Sequence, residues 1–140
     1  MQEFLADKGI AHETTAAYTP QQNAAQLLHM TLHDNARAML MRAGLPGNLW
    51  GEVVRCASFV RNHTRVSLAS DGRTPLEFLT RTMPTVNLFR TFGCDAWVLI
   101  PPEKRTSKFT TRLVKGVFIG YHNNSTYRVL VNGKVSSIEM

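Results

Sequence analysis

The spacing of apolar residues predicts two helices in the first part of the chain. Between residues 22 and 42 apolar side chains recur every three or four positions, which indicates one helix roughly 30 Å long. A second stripe predicts a helix over 48–62, for which Asn48 is a suitable N-cap. The two stripes consist of Leu28, Leu32, Ala36 and Met39, and of Leu49, Val53, Cys56, Ala57 and Val60. We expect these helices to pack on each other and on a sheet that this chain scarcely supplies.

Shorter elements precede and follow these helices. Phe4 and Leu5 lie in a helical turn that Gly9 ends, and the Thr-rich segment 10–16 predicts a brief strand. A domain seldom begins in this way, so we expect the start of a larger fold to be missing. Further along, Thr74 followed by a proline predicts the start of a short helix.

After residue 88 the periodicity changes from that of a helix to the alternation of strands. The segments "CDAWVLIP", "LVKGVFIGY", "YRVLV" and "KVSSIEM" are four strand candidates, and Asn132-Gly133 is a strong hairpin signal. Several short strands in so few residues predict a small β-barrel. We assign four of the large aromatic residues, Trp50, Trp97, Phe118 and Tyr121, to the core rather than to a stacking role.

Composition narrows the class of partner. The chain has 140 residues, of which 44% are apolar, and its formal net charge is +6. This balance favours a polyanionic partner, most commonly nucleic acid, although a basic protein without such a partner has the same charge. Cys56 and Cys94 lie outside any C-x-x-C pattern, and we predict them to be buried apolar fillers. No segment resembles a membrane span or a signal peptide, so we expect an intracellular protein with no membrane partner. We further expect a nuclear location when the protein is expressed, and no small-molecule substrate.

The histidines do not form a convincing metal or catalytic site. His29 and His33 lie one helical turn apart, a spacing that suits a shared metal ion, but no H-E-x-x-H pattern accompanies them. A solvated helix face explains this pair better, and a strand edge explains His12 beside Glu13. We therefore predict no metal site and no catalytic residue in this chain.

One basic cluster stands out near the strands. Five positive residues fall within twelve positions, opposed only by Glu103. They are Lys104, Arg105, Lys108, Arg112 and Lys115. Phosphate contacts require only positive charge on a reachable face, so we predict that this cluster binds DNA, or RNA in its place. A solvated surface loop is the competing interpretation.

Seven sequence blocks together carry a family resemblance. They are "GIAHETTAAYTPQQN", "ARAML", "AGLP", "LWGEVV", "TPLEFL", "FRTFGCDAWV" and "GVFIGY". In order and spacing they resemble the integrase region of Ty1/copia-type retrotransposon Pol polyproteins. The resemblance implies an α+β chain in which 1–66 is the C-terminal part of an RNase H-like integrase core, truncated at its start. It further implies a linker with a short helix over 67–87 and an SH3-like β-barrel over 88–140.

The resemblance also implies a catalytic position that this chain does not fill. The family's active site holds two Mg²⁺ or Mn²⁺ ions with two Asp and one Glu, because hard cations prefer anionic oxygen ligands. The Glu lies on the helix after "YTPQQN", where this chain has "NAAQLLHM", one residue shorter than the usual block. Either Gln26 or Leu27 therefore occupies the Glu position. Replacing the carboxylate with a neutral side chain removes on the order of 10 kcal/mol of gross attraction for the metal. The family's two Asp fall upstream of Met1.

A second candidate contact follows from the same resemblance. The loop that precedes this helix lies beside the active site in relatives, and its polar side chains suit DNA backbone or base edges. The residues are Tyr18, Gln21, Gln22 and Asn23. An inherited loop sequence without a binding role explains them equally well.

We therefore interpret the chain as a degenerate, truncated integrase segment. Its ancestral role would be DNA integration, with residual nucleic-acid binding, no enzymatic activity and no cofactor of its own. The alternative is a domesticated protein-interaction module that forms homo-oligomers, because a lost sheet would leave apolar helix surface uncovered.

Overall fold

The structure, a computed structural model, describes residues 2–12, 14–19, 23–64, 72–105, 107, 109 and 111–139. It divides into two compact units, Met1–Thr31 and Leu32–Met140. None of the helices in these ranges is both long enough and apolar enough to cross a membrane. The domain boundaries inferred from the family resemblance remain a prediction.

The first unit contains helix α1 (Gln2–Asp7) and the beginning of helix α2 (Ala24–Ala43). Gly9, with a φ of 66°, follows the end of α1 as predicted. The predicted strand over 10–16 is wrong for 10–12 and 14–16, which are irregular. A strand needs a neighbour for its backbone hydrogen bonds, and the strands of the described sheet pair with one another.

The long predicted helix is confirmed as α2, but only part of its apolar stripe is buried. Asn23 begins the helix, because its Oδ1 accepts a hydrogen bond from the backbone N–H of Gln26 at 3.1 Å. Leu28 is exposed, whereas Ala36 is buried in the second unit. The helix therefore contributes to that unit's core through its C-terminal half.

Helix α3 (Trp50–His63) confirms the second predicted helix. The prediction of Asn48 as its N-cap is wrong, because a 3₁₀ turn at Gly47–Leu49 precedes it and Leu49 occupies the cap position without a side-chain hydrogen bond. A capping residue needs a non-helical backbone, and Asn48 is already inside a helical turn. The stripe itself is confirmed, with its central residues Val53, Cys56 and Ala57 buried.

Helix α4 (Pro75–Thr80) begins where the sequence predicts. The Thr74 hydroxyl accepts a hydrogen bond from the backbone N–H of Glu77 at 3.1 Å, and the Glu77 carboxylate accepts one from the Thr74 N–H, which forms a capping box. Residues 65 and 66, and residues 67–71 of the predicted linker, lie outside the described ranges.

The four predicted strands are confirmed and form one antiparallel sheet. They are β1 (Asp95–Leu99), β2 (Leu113–Asn123), β3 (Thr126–Val131) and β4 (Lys134–Glu139), in the order β1-β2-β3-β4. Asn132 and Gly133 have φ values of 49° and 75°, as a two-residue hairpin turn requires. With helix α3 packed on this sheet, the predicted α+β class is confirmed.

Helix α3 packs directly on strand β2. Val53 and Cys56 of α3 share a buried cluster with Phe118 and Ile119 of β2. At Gly120, where φ is +139°, an added Cβ would lie 3.3 Å from the Cβ of Cys56, so the absence of a side chain permits this close approach. The expectation that the helices cover a missing sheet is therefore wrong for α3, which covers the sheet that this chain supplies.

An aromatic layer extends this contact along the helix. The Phe59 ring stacks on the Tyr121 ring, with the two centroids 4.2 Å apart. It also stacks on the His63 ring, with the two centroids 4.0 Å apart. The Tyr121 hydroxyl accepts a hydrogen bond from the backbone N–H of Arg90 at 2.8 Å. Burial raises the pKa of Tyr121, so the phenol keeps its proton. The Tyr127 hydroxyl donates to the Leu88 carbonyl at 2.8 Å.

A bidentate ion pair also joins the helix to the sheet. Two guanidinium nitrogens of Arg128 on β3 each lie 2.7 Å from a carboxylate oxygen of Glu52 on α3. The two side chains are only 15% and 19% exposed. Paired N–H···O bonds of this geometry are among the stronger polar contacts in proteins, so this ion pair adds to the apolar contacts that hold α3 on the sheet.

The aromatic core prediction is half right. Phe118 and Tyr121 are buried, but Trp50 and Trp97 are 64% and 63% exposed. Trp50 begins α3 next to its buried stripe rather than within it. Trp97 lies on β1, where the neighbouring residues Ala96 and Val98 are the less exposed ones. Both tryptophans are therefore available at the surface of the second unit.

Candidate functional site

Two residues of the predicted basic cluster meet at one end of the sheet. Arg105 and Arg112 line a cleft of about 440 Å³ together with Pro102 and Ser107. All four belong to the connection between β1 and β2. The described part of the connection therefore places two positive charges around one concave surface.

Hydrogen bonds hold this connection in place at its base. The backbone N–H of Ile100, just after β1, donates to the Arg112 carbonyl at 2.8 Å, which extends the ladder of the two strands by one residue. The Arg105 Nε donates to the Ile100 carbonyl at 2.8 Å. Arg105 is consequently half-buried and fixed to the end of the sheet, while Arg112 is exposed.

Lys115 lies apart from this cleft, on the outer side of the β1–β2 hairpin. Its ammonium lies 2.8 Å from the Asp95 carboxylate, with 57% and 61% of the two side chains exposed. Lys115 is directly opposite Trp97 in the register of the two strands. An exposed pair of this kind contributes at most about 1 kcal/mol to stability, so Lys115 can exchange Asp95 for another anion at little cost.

The remaining residues predicted for nucleic-acid contact are less informative. Lys108, Gln21 and Gln22 lie outside the described residues, and so does the side chain of Lys104. Tyr18 is fully exposed in a turn, with a φ of 60°. Asn23 has a structural role as the cap of α2. Tyr18 and Asn23 belong to the first unit, separate from the unit that contains the cleft.

The position that the family resemblance assigns to a catalytic Glu is in the first turns of α2. Both Gln26 and Leu27 are exposed there. His29 and His33 are exposed on the same helix, as expected for a solvated face. In the ranges that the structure describes, no three His, Cys, Asp or Glu side chains are grouped so that they could hold a metal ion.

The two cysteines are free thiols. Cys56 is buried, and burial raises its pKa to about 12, so it is a protonated apolar filler as predicted. Cys94 is half-buried.

Sequence reasoning missed Trp97 as a surface residue and Arg128 as a link to α3. The five residues of β1 are apolar at Ala96, Trp97, Val98 and Leu99, on both faces of the strand. Alternation therefore could not indicate which face is buried. The pairing of Arg128 with Glu52 joins residues far apart in the chain, and a single sequence carries no signal for it.

Comparisons with known proteins agree with this architecture. Residues 94–137, which include the four strands except for the end of β4, match the family described as the retroviral polymerase SH3-like domain. The chain is 34% identical over 122 residues to the "Retrovirus-related Pol polyprotein from transposon TNT 1-94" of Nicotiana tabacum. This alignment covers 86% of the chain and 9% of that polyprotein. No solved structure matches the chain.

Two Arabidopsis thaliana proteins give similar alignments. The "Retrovirus-related Pol polyprotein from transposon RE1" is 25% identical over 120 residues, and that from transposon RE2 is 23% identical over 122. These alignments cover 85% and 86% of this chain and 8% of each polyprotein. The chain thus spans less than a tenth of the length of these relatives. It belongs to the Ty1/copia-type retrotransposon Pol polyproteins, as a short segment that contains their SH3-like domain.

Proposed function

We propose that this chain is a segment of the integrase region of a copia-type Pol polyprotein and that it contacts nucleic acid without catalysing a reaction. In this proposal residues 1–66, which include α1, α2 and α3, derive from the C-terminal part of an RNase H-like core, and the sheet corresponds to an SH3-like barrel. DNA is the partner that the ancestral role in integration implies, and such a segment would act in the nucleus.

The cleft lined by Arg105 and Arg112 is the observation that carries the proposal. Two guanidinium groups at the end of a sheet present donors in a fixed fork that suits phosphate oxygens. Arg105 is already oriented by its bond to the Ile100 carbonyl, so ordering it costs little further entropy. The net charge of +6 provides long-range attraction for a polyanion.

The absence of catalysis rests on the chemistry of the residues at the family's Glu position. A divalent hard cation at that position needs an anionic oxygen, and Gln26 offers a neutral amide while Leu27 offers no polar atom. The chain would therefore neither hold the Mg²⁺ or Mn²⁺ pair of its relatives nor supply a cofactor of its own. Purified chain that joined oligonucleotide ends in a magnesium- or manganese-dependent reaction would overturn this part of the proposal.

A second candidate function is that of a protein-interaction module. One groove within the second unit lies between the C-terminal half of α2 and α3, and Met41 and Trp50 line it. Both side chains are largely exposed, and exposed apolar surface of this kind suits a protein partner or a second copy of the chain. Concentration-dependent self-association without nucleic-acid affinity would favour this function.

Filter binding to a DNA duplex at two salt concentrations tests the first candidate. Each phosphate contact contributes about −0.9 to the slope of log affinity against log salt. We therefore expect Arg112→Ala to weaken binding at low salt and to reduce the slope by about that amount.

Arg55→Ala is the matched control, since it removes the same charge from an exposed position on α3. We expect this variant to bind with the wild-type slope. Equal effects of the two substitutions would show that only the net charge matters, and absence of any salt-sensitive binding would remove the proposed function.

A further inference from the structure

The outer surface of the β1–β2 hairpin combines exposed apolar and positive side chains. In the antiparallel register Trp97 is opposite Lys115 and Leu99 is opposite Leu113, so the two pairs follow each other on one face of the sheet. We call these four residues the outer face. Trp97 and Leu99 are 63% and 60% exposed, and Leu113 is 44% exposed. Trp97 and Lys115 are therefore cross-strand neighbours on an exposed face.

The charges around the outer face are distributed along its length. At one end, next to Leu99 and Leu113, the ladder continues into Ile100 and Arg112 and the cleft begins. At the other end the Asp95 carboxylate contacts Lys115. Strands rise about 3.3 Å per residue, so Trp97 lies roughly 10 Å from the level of Arg112. A polyanion on this face would thus run from the indole, away from Asp95, to the end of the hairpin. Because successive residues of a strand lie on opposite faces, Arg112 is on the face opposite to Leu113, and the polyanion would pass around this end to reach the arginines.

We propose that the outer face is a stacking platform for an unpaired nucleobase, with Trp97 as the stacking residue. A phosphate next to that base would contact Lys115, and a phosphate further along the strand would reach Arg112 around the end of the hairpin. A lysine ammonium has three N–H donors, of which one suffices for the Asp95 carboxylate. Aromatic side chains beside a positive track are the usual means by which proteins bind single strands, because every base has a π-face.

Base stacking on Trp97 selects single strands over duplexes. Within a duplex each base face is covered by its neighbours, so an indole on the surface of a sheet reaches a base only where the strand is unpaired. A duplex would still contact the arginine cleft through its phosphates. The inference therefore rests on the proposed function and adds to it a preference for single-stranded nucleic acid.

Two single-tryptophan variants make the stacking directly observable. The chain has two tryptophans, so Trp50→Phe leaves Trp97 as the only one and Trp97→Phe leaves Trp50. A deoxythymidine oligomer is titrated into each variant, and a duplex of equal length serves as the comparison. We expect the oligomer to quench the fluorescence of the Trp50→Phe variant and to leave that of the Trp97→Phe variant unchanged. We also expect the oligomer to bind more tightly than the duplex.

Replacement of Trp97 with alanine measures how much stacking contributes to the affinity for the oligomer. Loss of one base–aromatic stack corresponds to about 5- to 150-fold weaker binding of the oligomer, which we expect for Trp97→Ala. Trp97→Phe keeps a ring and should retain most of the affinity, and Trp50→Ala should bind as the wild type does. Both alanine variants change exposed side chains, and a urea midpoint close to that of the wild type would confirm that each one folds.

Three results would overturn the inference. The first is oligomer binding that Trp97→Ala leaves unchanged. That result would be consistent with the arginine contact but would contradict stacking on Trp97. The second is tighter binding of the duplex without quenching of Trp97. The third is Trp97 fluorescence that depends on protein concentration without nucleic acid, which would identify the outer face as a contact between copies of the chain. Absence of any salt-sensitive binding would instead remove the proposed function itself.

Discussion

The ion pair between Glu52 and Arg128 tests whether α3 and the sheet form one folded unit. Arg128→Met removes the charge and keeps much of the side-chain volume, and Glu52→Gln removes the opposite charge with almost no change of shape. Glu52 lies in the first turn of α3, where a carboxylate also interacts favourably with the helix dipole. A double-mutant cycle separates that contribution from the pair itself.

The expected magnitude follows from the burial of the pair. Breaking a fully buried ion pair costs about 3–5 kcal/mol, and an exposed pair contributes about 0–1 kcal/mol. The two side chains are 15% and 19% exposed and share two bonds of 2.7 Å. We therefore expect each single substitution to lower the free energy of unfolding by about 2–3 kcal/mol. For a unit of about 100 residues, this corresponds to a fall in Tm on the order of 10–15 °C.

Urea unfolding of the wild type, the two single variants and the double variant provides the cycle. We expect a coupling energy of at least about 1 kcal/mol, because the double variant leaves no charge without its partner. Lys115→Met is the control, since its ion pair with Asp95 is exposed and should contribute little. Additive effects of Glu52→Gln and Arg128→Met, or losses below about 0.5 kcal/mol, would refute the conclusion that this pair anchors α3 to the sheet.

Three further predictions concern the same unit and its neighbour. The pKa of Cys56 is raised to about 12 from 9.0, so the folded chain keeps a proton that the unfolded chain loses above pH 9, and stability should fall as pH rises. Between pH 9 and 10.5 we expect the free energy of unfolding, measured with urea, to fall by about 1–2 kcal/mol more for the wild type than for Cys56→Ala, and equal losses would contradict the burial of the thiol. Gly120→Ala should destabilise the fold by about 1–3 kcal/mol, because φ is +139° and the new Cβ would lie 3.3 Å from that of Cys56; an unchanged urea midpoint would contradict this close approach. In hydrogen exchange, the amides of 27–31 in α2 should exchange faster than those of 53–57 in α3, since the former residues are exposed and the latter include the buried Val53 and Cys56; equal protection would count against this assignment.

Local periodicity predicted the elements well. The four strands and the helices α2 and α3 can be located because the period of apolar residues over many positions differs between a helix and a strand. Asn132-Gly133 indicates the turn of one hairpin. Thr74 and Glu77 likewise specify the start of α4 through neighbouring residues alone. Such signals are contained within a few turns of the chain.

Contacts between residues that are far apart in the chain could not be predicted from the sequence. Gly120 and Cys56 come together because one lacks a side chain and the other is small, and no local pattern shows that they are in contact. Strand β1 has apolar residues on both faces, so its sequence predicts a core position for Trp97, which lies on the surface. Of the predicted basic cluster, the structure groups Arg105 with Arg112 and places Lys115 on a separate face. The grouping depends on the course of the β1–β2 connection, which charge alone does not determine.

The two indole N–H groups allow a direct test of where nucleic acid binds. In a ¹H–¹⁵N NMR spectrum of the labelled chain, a deoxythymidine oligomer should shift the indole signal of Trp97 and the backbone amide of Arg112, and should leave the indole signal of Trp50 in place. Unchanged signals for Trp97 and Arg112, or a shift of the Trp50 indole alone, would contradict nucleic-acid contact at the β1–β2 end of the sheet.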